Sequence, residues 1–218
     1  MLKLLAVIFL CASGCSFFAP ETLQSKRSTD LEARKIRRIA VVLPNGMGFE
    51  PKSQATYTSP PSSEKNLSEQ ELSELLARLV YSAMASRPDW QIVSESEVKD
   101  IAQSAPPGSD NARLRKIGEM VYADGVVVGR MQRYRERIGN EWDAKSPASV
   151  ASVLRVIDVR RGDVVWSARF DETQKPLSEN IFALGNVGER GIRWLTAEQL
   201  AQEGVRKAVG DLYRILVS

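Results

Sequence analysis

Residues 152–170, SVLRVIDVRRGDVVWSARF, restrict the fold more than any other part of this chain. Two runs of alternating apolar and polar residues flank Arg160-Arg161-Gly162-Asp163, the pattern of a β-hairpin. Gly162 is the one residue of that turn that takes φ > 0 without steric cost, which suits a short turn with a G1 bulge. On the first strand Leu154, Val156 and Asp158 share a face, and Val153, Arg155, Ile157 and Val159 share the other. On the second, Val164, Trp166, Ala168 and Phe170 oppose Val165, Ser167 and Arg169. Such strands call for a sheet partner and a covering helix.

The rest of the chain supplies both. Residues 37–44, RRIAVVLP, read as a strand apolar enough to be buried on both faces and ended by proline. A helix follows over 67–86, with a capping box at Ser68 and Glu71 and a stripe of Leu72, Leu75, Leu76, Leu79, Val80 and Ala83. Residues 90–93 form a short strand. Ser94 and Glu97 then cap a small helix whose Val98, Ile101 and Ala102 face inward. Another helix over 111–122 carries Leu114, Ile117 and Val121 on one side. Ala123-Asp124-Gly125 turns into a Val-rich strand over 126–134. Thr196 and Gln199 cap a last helix with a stripe of Leu200, Gly204, Val205, Ala208, Val209 and Leu212. The order predicts a single α/β domain over 36–216, a mixed sheet flanked by helices. Pairing is parallel in the opening βαβ unit and antiparallel at the hairpin. Three connections stand out: a Pro- and Gly-rich stretch over 45–66 expected to be mobile, a polar loop over 135–147, and a long irregular segment over 171–195.

Composition closes off several kinds of chemistry. The 218 residues include no histidine, which removes the commonest general base and the Ser-His-Asp and Cys-His systems. A net charge of +3 from 30 basic and 27 acidic residues is too balanced for a nucleic-acid binder. The glycine-rich GNVGERG (185–191) lacks the Lys-Ser/Thr of a phosphate loop. Asp158, Asp163, Asp171 and Glu172 cluster around the hairpin, but alternation separates them, so solvated turn residues are expected rather than a catalytic pair. Arg130, Arg133, Arg135 and Arg137 alternate beside Tyr134; a grip on an anionic polymer and a solvated sheet face are the two readings, and the second is preferred. No catalytic, cofactor-binding or metal site is expected. Nor is a barrel pore, since 135–147 is too short and 45–66 too rich in proline to supply membrane strands.

The N-terminus carries the most specific signal. Residues 1–14 join Lys3 to an apolar run over 4–10 and then small residues, the anatomy of an export signal and too short for a membrane span. A simple cleaved signal or a buried first helix are the plainer alternatives. Ala12-Ser13-Gly14-Cys15 resembles the bacterial lipobox, which implies cleavage before Cys15 and lipid on its sulfur and amine. Both cysteines, Cys11 and Cys15, fall in this segment. Ser16 follows Cys15 where an Asp would signal inner-membrane retention, which favours the outer membrane. Residues 15–35 are expected to be a polar, lipidated tether.

RRIAVVLP, YADGVVVGRM and VIDVRRGDVVWSA together resemble the CsgG/LpoB-like lipoproteins. That family, with its TolB-N-terminal-like α/β domain, includes the curli secretion channel, activators of penicillin-binding proteins, and the PelC lipoprotein of exopolysaccharide export. The resemblance implies a lipid-anchored, non-enzymatic accessory of envelope assembly, secretion or polysaccharide export on the periplasmic side of the outer membrane. The partners it implies are the membrane, an envelope protein and, as in some members, a homo-oligomer; nucleic acid is not among them, and no cofactor is. Segment 171–195 lies outside the resemblance. Its Ile181, Phe182, Leu184, Ile192 and Trp194 are more apolar bulk than a linker needs, and are expected to contact a partner or else to cover a sheet edge. An envelope hydrolase or polymer-binding enzyme, with two of Asp124, Asp158 and Asp171 in one pocket, is the alternative.

Overall fold

A computed structural model describes residues 22–42, 67–105, 110–174 and 193–217. Its strands are β1 (Leu23–Arg27), β2 (Arg38–Val42), β3 (Gln91–Ile92), β4 (Gly125–Arg135), β5 (Ile138–Gly139), β6 (Ala144–Ser146), β7 (Ser149–Asp158) and β8 (Val164–Thr173). Its helices are α1 (Glu69–Ala85), α2 (Glu95–Ser104), α3 (Asp110–Met120) and α4 (Ala197–Val217), with a 3-10 turn at Glu32–Arg34. Six strands form one mixed sheet in the order β1-β8-β7-β4-β2-β3. β2 runs parallel to β3 and β4, whereas β4, β7, β8 and β1 pair antiparallel in turn. This is the α/β fold that the βαβ order and the hairpin predict.

Local chemistry places the helices where the pattern puts them. The Ser68 hydroxyl accepts from the Glu71 N–H at 3.2 Å while the Glu71 carboxylate accepts from the Ser68 N–H at 2.7 Å, closing the capping box. Ser94 accepts from the Glu97 N–H, and Thr196 from the Gln199 N–H. α1 and α4 then seal one face of the sheet. Leu76, Val80, Leu200, Val205 and Leu212 pack there against Ile39, Val127, Leu154, Trp166 and Phe170. The Trp166 indole donates to Asp211 of α4 at 3.2 Å, so its one polar atom is satisfied inside the core. α4 lies directly on the ring of Phe170: a Cβ added at Gly204 would come within 2.4 Å of it. On the opposite face α2 and α3 bury Leu114, Ile117 and Val121 against Val126, Val128, Ile157 and Val159.

Several boundaries differ from expectation. The polar stretch taken for a tether up to residue 35 joins the domain from Leu23 onward. β1 pairs with β8 from Leu23↔Phe170 to Arg27↔Trp166, and Leu31 is fully buried. Its sequence, LQSKR, has no apolar alternation because an edge strand is held by backbone bonds while its side chains stay in water. A bulge between Val156 and Ile157 turns both Val165 and Trp166 into the core and leaves Val164 37 % exposed, breaking the simple alternation on β8. Asp171, Glu172 and Thr173 extend β8 rather than begin a loop, and the polar loop contains the β5–β6 ribbon. The hairpin turn keeps its expected glycine, with Gly162 at φ +76°.

Candidate functional site

Among the described residues, the densest polar centre lies at the hairpin turn, and it is organised by a residue outside the hairpin. Arg34 enters from the 3-10 turn with a side chain only 7 % exposed. Its guanidinium forks onto both oxygens of Asp163, at 2.7 and 2.9 Å, and reaches Asp158 at 3.0 Å and Asp30 at 3.1 Å. Asp158, 4 % exposed, spends its second oxygen on the turn itself, accepting from the N–H groups of Arg160 and Arg161 at 2.8 and 3.2 Å. Asp30 also accepts from Ser28 and pairs with Arg161 at 3.0 Å. Asp158 is therefore not the solvated turn residue that alternation suggests. It is a buried carboxylate whose partner sits 124 residues away in sequence.

The electrostatics of this centre suit a clamp rather than proton transfer. Hydrogen bonds from Ser28 and then Arg34 lower Asp30 to about 2, and the Arg34 fork lowers Asp163. The same pairing, Asp163 foremost, raises Arg34. Carboxylates held ionised this firmly are poor acids and poor bases near neutrality. The centre pins the N-terminal segment to the hairpin.

The three carboxylates named for an alternative hydrolytic site are separately engaged. Asp124 caps the start of β2, accepting from the N–H groups of Arg37 and Arg38 at 3.1 and 2.9 Å. Asp158 belongs to the Arg34 clamp. Asp171 binds Arg133 and, at 2.9 Å, Arg169; burial pushes its carboxyl up, but the two arginines outweigh that and hold it low. A shallow cleft beside the turn is lined by Asn111, Arg115, Lys116, Glu119, Arg161 and Gly162, and includes none of the three. Among the described residues, no group of three or more His, Cys, Asp or Glu could hold a metal ion, and no helix is long and apolar enough to cross a membrane.

Of the residues expected to act through lipid or partner, Cys15, Ile181, Phe182, Leu184 and Ile192 lie outside the described residues, as does the 45–66 loop. Trp194 is described, and its backbone is fixed to the β5–β6 ribbon. Its N–H donates to the Glu141 carbonyl at 2.8 Å and its carbonyl accepts from Arg137. The neighbouring Leu195 packs on the core, and Arg193 lies over the ring of Trp142, itself 66 % exposed. The arginine stripe is likewise split. Arg137 turns to the ribbon, while Arg133 binds Ser149 at 2.7 Å and Asp171 across the sheet.

No protein-family model matches the chain, and no curated protein matches it. Among solved structures, the PelC dodecamer from Paraburkholderia phytofirmans is similar at 16% identity, covering 88% of this chain and 96% of that one, with a TM-score of 0.42. The lipoprotein GNA1162 from Neisseria meningitidis is 14% identical over 71% of this chain and 96% of its own, at 0.37. The LpoB C-terminal domain from Escherichia coli is 16% identical over 63% of this chain and 83% of its own, at 0.35. Values this low carry no functional argument.

Proposed function

We propose that this chain is a lipoprotein anchored through Cys15, facing the periplasm from the outer membrane, and that it serves there as a non-enzymatic accessory of envelope assembly, secretion or polysaccharide export. The observation that carries this reading is the N-terminal sequence, an export segment closed by Ala12-Ser13-Gly14-Cys15. The first strand of the described residues, β1, starts eight positions after Cys15, at Leu23. Two or more acyl chains on one residue give stable anchoring where a single chain is marginal. The best-formed polar centre in the described residues, the Arg34 clamp, favours a scaffold because its carboxylates are committed to arginine and to backbone N–H groups.

The anchor is tested by growing cells with labelled fatty acid. The natural chain takes up label and fractionates with outer membrane; Cys15→Ala takes up none and stays uncleaved or soluble. Label on the Cys15→Ala protein would end the anchor reading. Accessory action is tested by purifying the chain from detergent-solubilised membranes: a partner recovered without turnover of envelope polymers supports it, and hydrolysis by the purified chain defeats it.

A further inference from the structure

The C-terminal end of α3 holds a residue whose place there the fold does not explain. The helix closes in a Schellman turn: the Ala123 N–H donates to the Gly118 carbonyl at 2.9 Å, and the Tyr122 N–H to the Glu119 carbonyl at 3.2 Å. Tyr122 takes the left-handed position of that turn, at φ +55°. Glycine is the usual occupant, because a Cβ is strained in this conformation and a bulky side chain more than most. Packing does not offset the strain. Tyr122 is 84 % exposed, more than any other large hydrophobic side chain among the described residues. Backbone strain of this kind gathers at binding surfaces.

Cations surround the ring. The Asp124 carboxylate, two residues on, accepts from the N–H groups of Arg37 and Arg38, and the Asp124 carbonyl accepts from the Val159 N–H at 3.0 Å. These bonds bring Arg37, Tyr122 and Arg160 to one end of the sheet. A Cβ added at Gly125 would lie 2.8 Å from the Ile36 side chain, so the Lys35-Ile36-Arg37 segment also runs beside the start of β4. Lys35, Arg37 and Arg160 are all exposed. Among the described residues no carboxylate pairs with Lys35 or with the Arg37 guanidinium. Arg160, its side chain 77 % exposed, reaches Asp124 only at 4.0 Å.

The chemistry selects an occupant. Tyrosine and arginine are the residues that most often anchor protein interfaces, and the guanidinium fork pairs with carboxylates. An exposed phenol ring framed by three cations suits an acidic stretch that also carries an aromatic side chain. A bilayer fits less well. The Thr22 carbonyl accepts from the Asp171 N–H far along β8 from the hairpin turn, whereas Gly125 pairs with Asp158 beside that turn. The chain therefore enters the domain at the end of the strands opposite Tyr122.

We propose that the surface around Tyr122 binds an acidic, aromatic-containing segment of an envelope protein, with Tyr122 as its anchor and Lys35, Arg37 and Arg160 pairing with carboxylates. The choice of a protein over a bilayer rests on the lipid-anchor reading above.

The test is fluorescence anisotropy on the full chain carrying Cys15→Ser, with two labelled probes: a random copolymer of glutamate and tyrosine, and polyglutamate alone. The copolymer should bind more tightly, and both should weaken as salt rises. Tyr122→Gly should lower affinity for the copolymer about tenfold and leave polyglutamate little changed. Its melting temperature should equal or exceed that of the natural chain, since glycine suits the turn. Arg37→Gln/Arg160→Gln should weaken both probes. Arg206→Gln, exposed on α4, should change neither. Copolymer binding that is absent, or that neither variant reduces, overturns the proposal. So does a Tyr122→Gly protein that melts well below the natural chain, which would make the ring part of the fold. Preference for polyphosphate or for phosphatidylglycerol vesicles over the copolymer overturns it too, assigning the surface to phosphate groups. The anchor and this surface fail separately. A chain that takes up no fatty-acid label but binds the copolymer through Tyr122 removes the anchor alone, and a labelled chain without that binding removes the surface alone.

Discussion

The two faces of the sheet are built from the same strands and end very differently. On β7 the inward set Val150, Ser152, Leu154 and Val156 is buried along the whole strand, because α1 and α4 cover that side from one end to the other. The alternate set begins with Ile157 and Val159 beneath α3, is partly exposed at Arg155 and Val153, and is buried again at Ala151 and Ser149. β4 repeats the change, from Val126 and Val128 to Arg130 and Arg133. The difference also separates two kinds of ion pair. Arg34, its side chain 7 % exposed, is buried with Asp158 and reaches out to the more exposed Asp30 and Asp163, whereas Arg133, 41 % exposed, shares Asp171 on the other face.

The strongest way to break this comparison is to substitute neighbours that point in opposite directions. Phe170→Ala, which empties the space under Gly204, should cost about 4 kcal/mol in chemical denaturation. Arg169→Gln, one residue away but 53 % exposed on the other face, should cost about 0.5 kcal/mol or less. Equal losses would show that the second face is not open.

Next in size is the clamp. Arg34→Met leaves Asp158 buried without its cation and should cost about 3 kcal/mol, with Arg34→Met/Asp158→Asn recovering part of the loss. Arg133→Gln should cost about 1 kcal/mol or less, because solvent takes over for Asp171. A clamp variant that unfolds no earlier than Arg133→Gln would equate the two centres.

The smallest effect sharpens the clamp by pH. Asp30 and Asp163 have folded-state values below their ordinary ones, Asp30 at about 2. Groups depressed in this way contribute stability above their unfolded value, near about 4, and lose it as pH falls through the folded one. Unfolding midpoints measured between about pH 4 and pH 2 should therefore drop for the natural chain and drop less steeply for Arg34→Met. The slope will not vanish, because the Ser28 hydroxyl, the foremost cause of the Asp30 shift, remains. An unchanged slope would remove Arg34 from the account.

Most elements with a strong local signature were legible in the sequence. Ser68 with Glu71, Ser94 with Glu97 and Thr196 with Gln199 mark three helix starts where the structure has them. Gly162 marks the hairpin turn, RRIAVV reads as a strand buried on both faces, and GVVVG opens a Val-rich strand. β1 was not legible, because LQSKR is chosen for water and held by its backbone. The bulge at Val165 was not legible either, since one extra residue leaves no compositional trace.

What the sequence determined by itself is therefore whatever depends on neighbours within a turn or two: caps, alternation and the glycine of a tight turn. What only the tertiary structure decided depends on partners far apart in the chain. Arg34 meets Asp158 and Asp163 across 124 and 129 residues, and Arg160 joins Arg37 and Tyr122 only because β7, β4 and β2 are neighbours in space. The physical reason is one of range. Helix caps and strand alternation are settled by dihedral angles and local hydrogen bonds, which nearby residues dictate. The burial of a charge, and the gathering of cations around an exposed ring, are settled by the order of strands in the sheet, which no local stretch contains.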